Sequence, residues 1–174
     1  MMNEQIQNIL DRRAVRSYKP DPVPKELLEE VITAGLYAAS GMGKQSPVFV
    51  AITDKETRDN LASANTLGNS AFGDPFYGAP AVIVVLANKE AMTYVYDGAL
   101  AMGNMMQAAS QLGLSTCWIH RAKEVFEMPE WKEWLKNLGL EGEYEGIGNL
   151  IIGYGAGEKP VAKPRKDGRV FWVE

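Results

Sequence analysis

The chain has 174 residues, 46% of them hydrophobic and 23% charged, with a formal net charge of −4, one cysteine and one histidine. That length and balance suit one compact domain, residues 1–174, with a real core, and exclude a disordered chain. A lone cysteine excludes an internal disulfide framework, and with a single histidine no metal-ligand cluster is expected. The acidic balance gives no reason to expect nucleic-acid binding. Glu4 and Asp11 stand where the apolar part of a leader would lie, so a cytoplasmic location is expected.

The first element in chain order is a short helix, Asn3 to Asp11, with Ile6, Ile9 and Leu10 on one face. Arg12, Arg13, Arg16 and Lys19 follow as a basic run with no acid between them, and Pro20, Pro22 and Pro24 force an extended link. Lys25 to Ala39 is an amphipathic helix with Leu27, Leu28, Val31, Ile32 and Leu36 inward. The loop Ser40-Gly-Met-Gly-Lys-Gln-Ser-Pro47 superficially suggests a phosphate-binding P-loop. Its glycine spacing is wrong, however, and Gln45 follows the lysine where Ser or Thr is required. Val48 to Thr53 is a strand and Lys55 to Ala64 a helix. Asn65 to Gly78 is a long loop carrying Phe72, Phe76 and Tyr77, read either as a functional loop or as a plug for the core edge.

Pro80 to Ala87 is the clearest strand, apolar on both faces and therefore central. The helix from Tyr94 to Leu112 has no polar face, which marks burial in a core, a membrane or an interface. Asn104, Gln107, Ser110 and Gln111 argue against a membrane span. Gly98, Ala101 and Gly103 instead suggest close backbone approach, within the protein or between subunits, and Gly113 is a suitable helix stop. Leu114 to Ile119 is a short buried strand. Val125 to Leu138 forms one or two helices interrupted at Pro129, and Ile147 to Tyr154 another strand. Pro160 to Gly168 is extended, with Val170 to Val173 a candidate edge strand. Strands separated by helices indicate an α/β or α+β sheet. Gly153-Tyr-Gly-Ala-Gly157 lacks Rossmann spacing and leads into prolines.

Side-chain catalytic machinery is thin. His120, at a strand end, has no neighbouring nucleophile or carboxylate pair in the sequence, and Cys117 reads as a small buried hydrophobe. Asp97 on the apolar helix needs an arginine or backbone amides as partner. A second basic run, Lys159, Lys163, Arg165, Lys166 and Arg169, lies near the C-terminus. The two runs are either solvated surface or, if the fold joins them, an anion site suited to phosphate. An enzyme built this way would leave the chemistry to a cofactor.

Several motifs occur together in a familiar order. Arg12-Arg13-Ala-Val-Arg16-Ser-Tyr18, then Ala39-Ser40-Gly-Met-Gly-Lys-Gln45-Ser-Pro47, then Asp97 through Met106 continuing into Leu112 to Ile119, and finally Lys163-Pro-Arg165 resemble the motifs of the nitroreductase-like flavoproteins. Ala39, Ala14 and Gly43 stand where that family commonly has proline, serine and asparagine. The resemblance implies an α+β homodimer with a mixed central β-sheet flanked by helices, the long helix in the interface, and FMN bound between subunits. It further implies phosphate contacts from Arg12, Arg13 and Arg165, with Lys163 nearby, and Arg16 beside the flavin pyrimidine ring, where a cation stabilises reduced flavin. Ala14 and Gln45 fall in the same cofactor motifs. Ser40, Gly41 and Met42 of the second subunit would border the ring, with Trp118, Ile119 and His120 along its other side. The implied activity is ping-pong hydride transfer from NAD(P)H through flavin N5 to a nitro compound, quinone or similar small acceptor. The alternative on the same fold is a flavin-storing or redox-sensing protein without turnover.

Overall fold

The structure, a computed structural model, describes residues 2–69, 71 and 73–174; Phe72 of the long loop lies outside the described residues. The elements in chain order are α1 (Glu4–Asp11), α2 (Lys25–Leu36), a 3-10 turn (Gly41–Gly43), β1 (Pro47–Ile52), α3 (Lys55–Asn65), β2 (Ala81–Asn88), α4 (Tyr94–Gln111), β3 (Ser115–Ile119), α5 (Ala122–Phe126), α6 (Pro129–Asn137) and β4 (Tyr144–Gly153).

The four strands form one sheet in the order β1-β2-β4-β3, each pair antiparallel. Where a mixed sheet is expected, all three strand pairs are antiparallel, and the parallel pairing is one isolated bridge from Ala14 to Thr116 of β3. β2 is central, as its unbroken apolar run requires, and its residues from Ala81 to Ala87 are buried. Strand side chains alternate between faces, so β2 feeds two cores. Ile83 and Val85 meet α2 and α4 through Val31, Met102 and Met105. Val82, Val84 and Leu86 meet Leu61 of α3, Phe126 of α5 and Trp131 and Leu135 of α6. Each fully buried aliphatic side chain contributes roughly 1.5–3 kcal/mol.

Local chemistry sets the element ends. Asn3 caps α1 by accepting from the Gln5 amide at 2.9 Å, and Asp54 caps α3 by accepting from the Thr57 amide at 2.8 Å. α4 ends where Gly113 takes a φ of +76°, with the Leu114 amide donating to the Ala109 carbonyl at 2.8 Å. That pattern satisfies the orphan carbonyls of the last turn. Pro129 opens α6 and separates it from α5.

Several elements differ from the sequence-based expectation. α2 stops at Leu36 rather than Ala39, and Leu36 is exposed rather than inward. β4 begins at Tyr144, because Tyr144 and Glu145 pair with Asn88 and Ala87 of β2. Ile6, Ile9 and Leu10 of α1 are about half exposed. α4 is buried along Asp97, Gly98, Ala101, Met102, Met105 and Ala109 but presents Val95, Tyr96 and Leu100 outward. Gly98 does allow close approach, since a Cβ there would stand 2.6 Å from Ile147; a Cβ at Gly103 would meet nothing within 4 Å among the described residues beyond its own helix turn. Val170 to Val173 forms no strand. Those residues are 70–101% exposed, at the end of an arm that leaves the body beyond Ala156.

Candidate functional site

The first basic run is fixed in place by backbone bonds on two sides. The Val15 amide donates to Thr116 of β3 at 3.1 Å, the Lys19 amide to Tyr154 at 2.8 Å, and the Ala156 amide to Ser17 at 2.9 Å. Val15 is buried beneath this segment. Arg12, Arg13 and Lys19 thereby line a cavity of about 350 Å³, together with the C-terminal end of α4 and residues from Tyr154 to Lys159. Arg13 folds back on its own turn, its Nη1 donating to the Leu10 and Arg12 carbonyls at 2.5 and 2.8 Å. Arg12 Nη1 and Arg13 Nε are buried and have no hydrogen-bond partner among the described residues. A buried guanidinium nitrogen left unmatched is costly, so these two atoms point to an anionic ligand.

Arg16 lines a different cavity, of about 270 Å³, with Trp118, Ile119 and His120 at the end of β3. Tyr77, Asn65, Thr66 and Arg121 form its remaining wall with Pro75. Beneath this site burial pushes the Cys117 thiol up, against the opposing charges of Arg16 and Arg12. A thiol so placed is a poor nucleophile.

The loop at Ser40–Gln45 lines neither cavity of its own chain. It is held by Asp97, which is 2% exposed and accepts from the Gly41 amide at 3.0 Å and the Ser46 hydroxyl at 2.7 Å. Burial works against the Asp97 charge, but Ser46, Gly41 and Thr93 outweigh it and hold the carboxyl below the usual range. Gly41 is needed there, because a Cβ would stand 2.1 Å from the Thr93 hydroxyl. Ser40 Oγ accepts from the Gln45 amide at 3.0 Å. Met42 and Gln45 sit at φ values of +52° and +48°, and Met42 is 83% exposed. Left-handed non-glycine residues concentrate at functional loops.

The structure thus joins Arg12 with Arg13, and Arg16 with Trp118, Ile119 and His120. Ala14 holds the first segment to β3 through its bridge with Thr116. Lys163 and Arg165 are not gathered with the first basic run. They are exposed on the arm, where Arg165 donates to the Lys163 carbonyl at 3.0 Å. In the long loop Phe76 is fully buried, as the plug reading expects, and Tyr77 is exposed at the Arg16 cavity. Arg58 clamps that loop, donating to the Ala79 carbonyl at 3.0 Å and pairing with Asp74 at 2.7 Å. Sequence reasoning missed Arg121. Nothing in the sequence marks its φ of +75° or its reach to the carbonyls of Asn65 and Thr66 at 3.4 and 3.2 Å.

Among the described residues no cluster of three or more His, Cys, Asp or Glu is placed to hold a metal, and no helix is long and apolar enough to cross a membrane.

Residues 9–155 match the model of the nitroreductase family. A nitroreductase with bound FMN from Bacteroides fragilis is 28% identical, with a TM-score of 0.87 over 99% of this chain and 100% of that one. A second nitroreductase with bound FMN, from Desulfitobacterium hafniense, is 26% identical, with a TM-score of 0.88 over the full length of both. An FMN reductase [NAD(P)H] from Bacillus subtilis is 25% identical over 94% of this chain and 70% of its own length. The chain belongs to the nitroreductase family.

Proposed function

We propose that this chain is an FMN-dependent NAD(P)H oxidoreductase that reduces a nitro compound, quinone or similar small acceptor, working as a homodimer with FMN between the subunits. The observation that carries the reading is the pair of buried, unpartnered nitrogens, Arg12 Nη1 and Arg13 Nε, beside a cavity with Lys19 and Lys159. A phosphomonoester supplies the acceptors and the charge these atoms lack. FMN would supply the chemistry, taking hydride from NAD(P)H and passing it to the acceptor.

The protein's own residues bind, orient and screen. Arg13 is preorganised by its two backbone acceptors, so little side-chain freedom is lost when the phosphate binds. Lys163 and Arg165, exposed on the arm, would add only long-range positive charge. Arg16 places a permanent positive charge beside Trp118, Ile119 and His120, where it favours negative charge on the reduced ring. Ser40, Gly41 and Met42, on the loop that Asp97 braces, would border a flavin ring held by the second subunit, with Gln45 in the same cofactor loop. The exposed Val95, Tyr96 and Leu100 of α4 and Ile6, Ile9 and Leu10 of α1 supply the apolar surface for that pairing. Donor and acceptor would use the site in turn, which would give ping-pong kinetics.

The test begins with the visible spectrum of freshly purified protein and the flavin released by heating. FMN near one per chain, bleached anaerobically by NADH or NADPH, is expected, with parallel double-reciprocal plots for donor and acceptor. FMN that neither nucleotide reduces sinks the enzymatic reading and leaves a flavin-storing or sensing protein.

A further inference from the structure

The loop before β2 holds one bulky side chain on a backbone that does not favour it. Tyr77 has a φ of +53°, and Gly78 follows at +73°. That left-handed region is open to glycine, and a bulky residue there is an outlier. A closed set of bonds keeps the conformation. Asp74 accepts from the Phe76 amide at 2.8 Å, the Gly78 amide at 2.7 Å and Arg58 Nη2 at 2.7 Å. The Tyr77 amide donates to the Asp74 carbonyl at 3.1 Å, and the Ala79 amide to the Phe76 carbonyl at 3.0 Å. Arg58 also donates to the Ala79 carbonyl and stands 5.4 Å from the centre of the Phe76 ring. The two neighbouring aromatic residues then part. Phe76 is fully buried in the core, whereas Tyr77 is 42% exposed and lines the cavity of Arg16, Trp118, Ile119 and His120. Glycine would take this turn at position 77 with less strain, so what the position supplies is the side chain.

We infer that Tyr77 is a further flavin-binding residue, its ring covering part of the isoalloxazine in this cavity. The inference rests on the oxidoreductase reading above, which gives the cavity to the flavin ring. Tyr77 borders that space, and no second guest is placed in it. A flavin is a flat fused aromatic system, which a phenol ring meets by offset stacking or by its edge. Tyrosine offers a large contact area for the ordering of only two side-chain torsions. Its backbone is already fixed by Asp74 and Arg58, so little further freedom is lost on binding. The exposed part of the ring is the surface the flavin would cover. Arg12 and Arg13 hold the phosphate end of the cofactor in this reading, and Tyr77 acts at the ring end.

The test titrates the full-length protein, freed of flavin, with FMN and records the visible absorption bands of the saturated complex. Tyr77→Gly and Tyr77→Asn remove the ring and suit the left-handed backbone. Both should keep the melting temperature of the flavin-free chain within about 4 °C of the unaltered protein. Both should nevertheless raise Kd for FMN about tenfold or more, the scale of one lost aromatic stacking partner. Their bound-flavin bands should shift from those of the unaltered protein. Tyr77→Phe keeps the ring and should leave Kd within about threefold, with the bands in place. Arg12→Ala is the control, raising Kd with the bands in place, because it acts on the phosphate. Kd values for Tyr77→Gly and Tyr77→Asn within about threefold of the unaltered protein overturn the inference. So does a Tyr77→Phe that loses as much affinity as Tyr77→Gly. A fall in melting temperature in both ringless variants, with the bands unmoved, makes Tyr77 a part of the fold and overturns it as well. An unaltered protein that takes up no FMN removes the flavin reading and this inference with it. FMN that binds Tyr77→Gly undiminished and is still bleached by NADH or NADPH removes this inference alone.

Discussion

The two basic runs are alike in composition and opposite in structure. The first, Arg12 to Lys19, is tied by backbone hydrogen bonds to β3 on one side and to residues 154–156 on the other. Arg12 and Arg13 are therefore held half-buried, with two nitrogens aimed where a ligand can satisfy them, while Arg16 is exposed. The second run starts at Lys159, which lines the cavity of the first, but Lys163 to Arg169 lie on an exposed arm and do not. The loop at Ser40–Ser46 is intermediate, exposed for most of its length and braced by one buried carboxylate. A cluster of charges becomes a site when a rigid element fixes its backbone; the same charges on a free arm are solvated.

Substitutions at the fixed run should have the largest effect. Arg12→Ala combined with Arg13→Ala removes two charge-assisted contacts, each about 1.5–3 kcal/mol. FMN affinity should fall by about 100-fold or more, read by titrating apoprotein with FMN and following flavin fluorescence. A loss under about tenfold would place the phosphate elsewhere and undo the contrast.

Releasing the intermediate loop comes next. Asp97→Asn keeps the shape but turns an amide toward the Ser46 and Gly41 donors. It should destabilise the fold by about 1–3 kcal/mol in denaturant unfolding. The pH dependence has a definite sign. The Asp97 carboxyl is depressed from its ordinary value of 3.8. Its contribution is therefore fully present above that value and is lost as pH falls through the lower folded value. The gap between native and Asp97→Asn protein should hold from neutral pH down to the ordinary carboxylate range and narrow in stronger acid. A gap that widens on acidification would contradict the charged, hydrogen-bonded carboxylate.

Smaller effects belong to the arm. Arg165→Ala should weaken FMN binding by about threefold, in keeping with an exposed cation. A loss as large as that of Arg12→Ala would mean that the arm closes over the phosphate after all. Removing residues 160–174 should change the unfolding free energy of an isolated chain by less than about 0.5 kcal/mol, since those residues are exposed. A drop of several kcal/mol, together with a change in oligomeric state by light scattering, would show that Phe171, Trp172 and their neighbours pack on a second copy.

Much of the fold was legible because it rests on short-range patterns. β2 announces itself through seven consecutive apolar residues, α4 through its length and its stop at Gly113, and α6 through Pro129. The basic segment at Arg12 to Lys19 was legible as a charge cluster, whereas Trp118 to His120 were singled out through the family resemblance. Less accessible were features that depend on contacts between distant residues. The exposure of Leu36 and Leu100, the early start of β4 and the position of Arg121 all follow from what packs alongside. Asp97 shows the boundary well. Its need for partners follows from one charge on an apolar helix, yet their identity, Gly41 and Ser46, lies 56 and 51 residues away in the chain.

By itself the sequence determined the element types, the central strand, the long helix and the residue classes of an anion site, because periodicity and charge are local properties. Only the tertiary structure decided which charges meet. The parallel bridge from Ala14 to Thr116 separates Arg12 and Arg13 in one cavity from Arg16 in another, and the arm keeps Lys163 and Arg165 apart from both. That division rests on backbone hydrogen bonds between segments a hundred residues or more apart, which no spacing along the chain encodes.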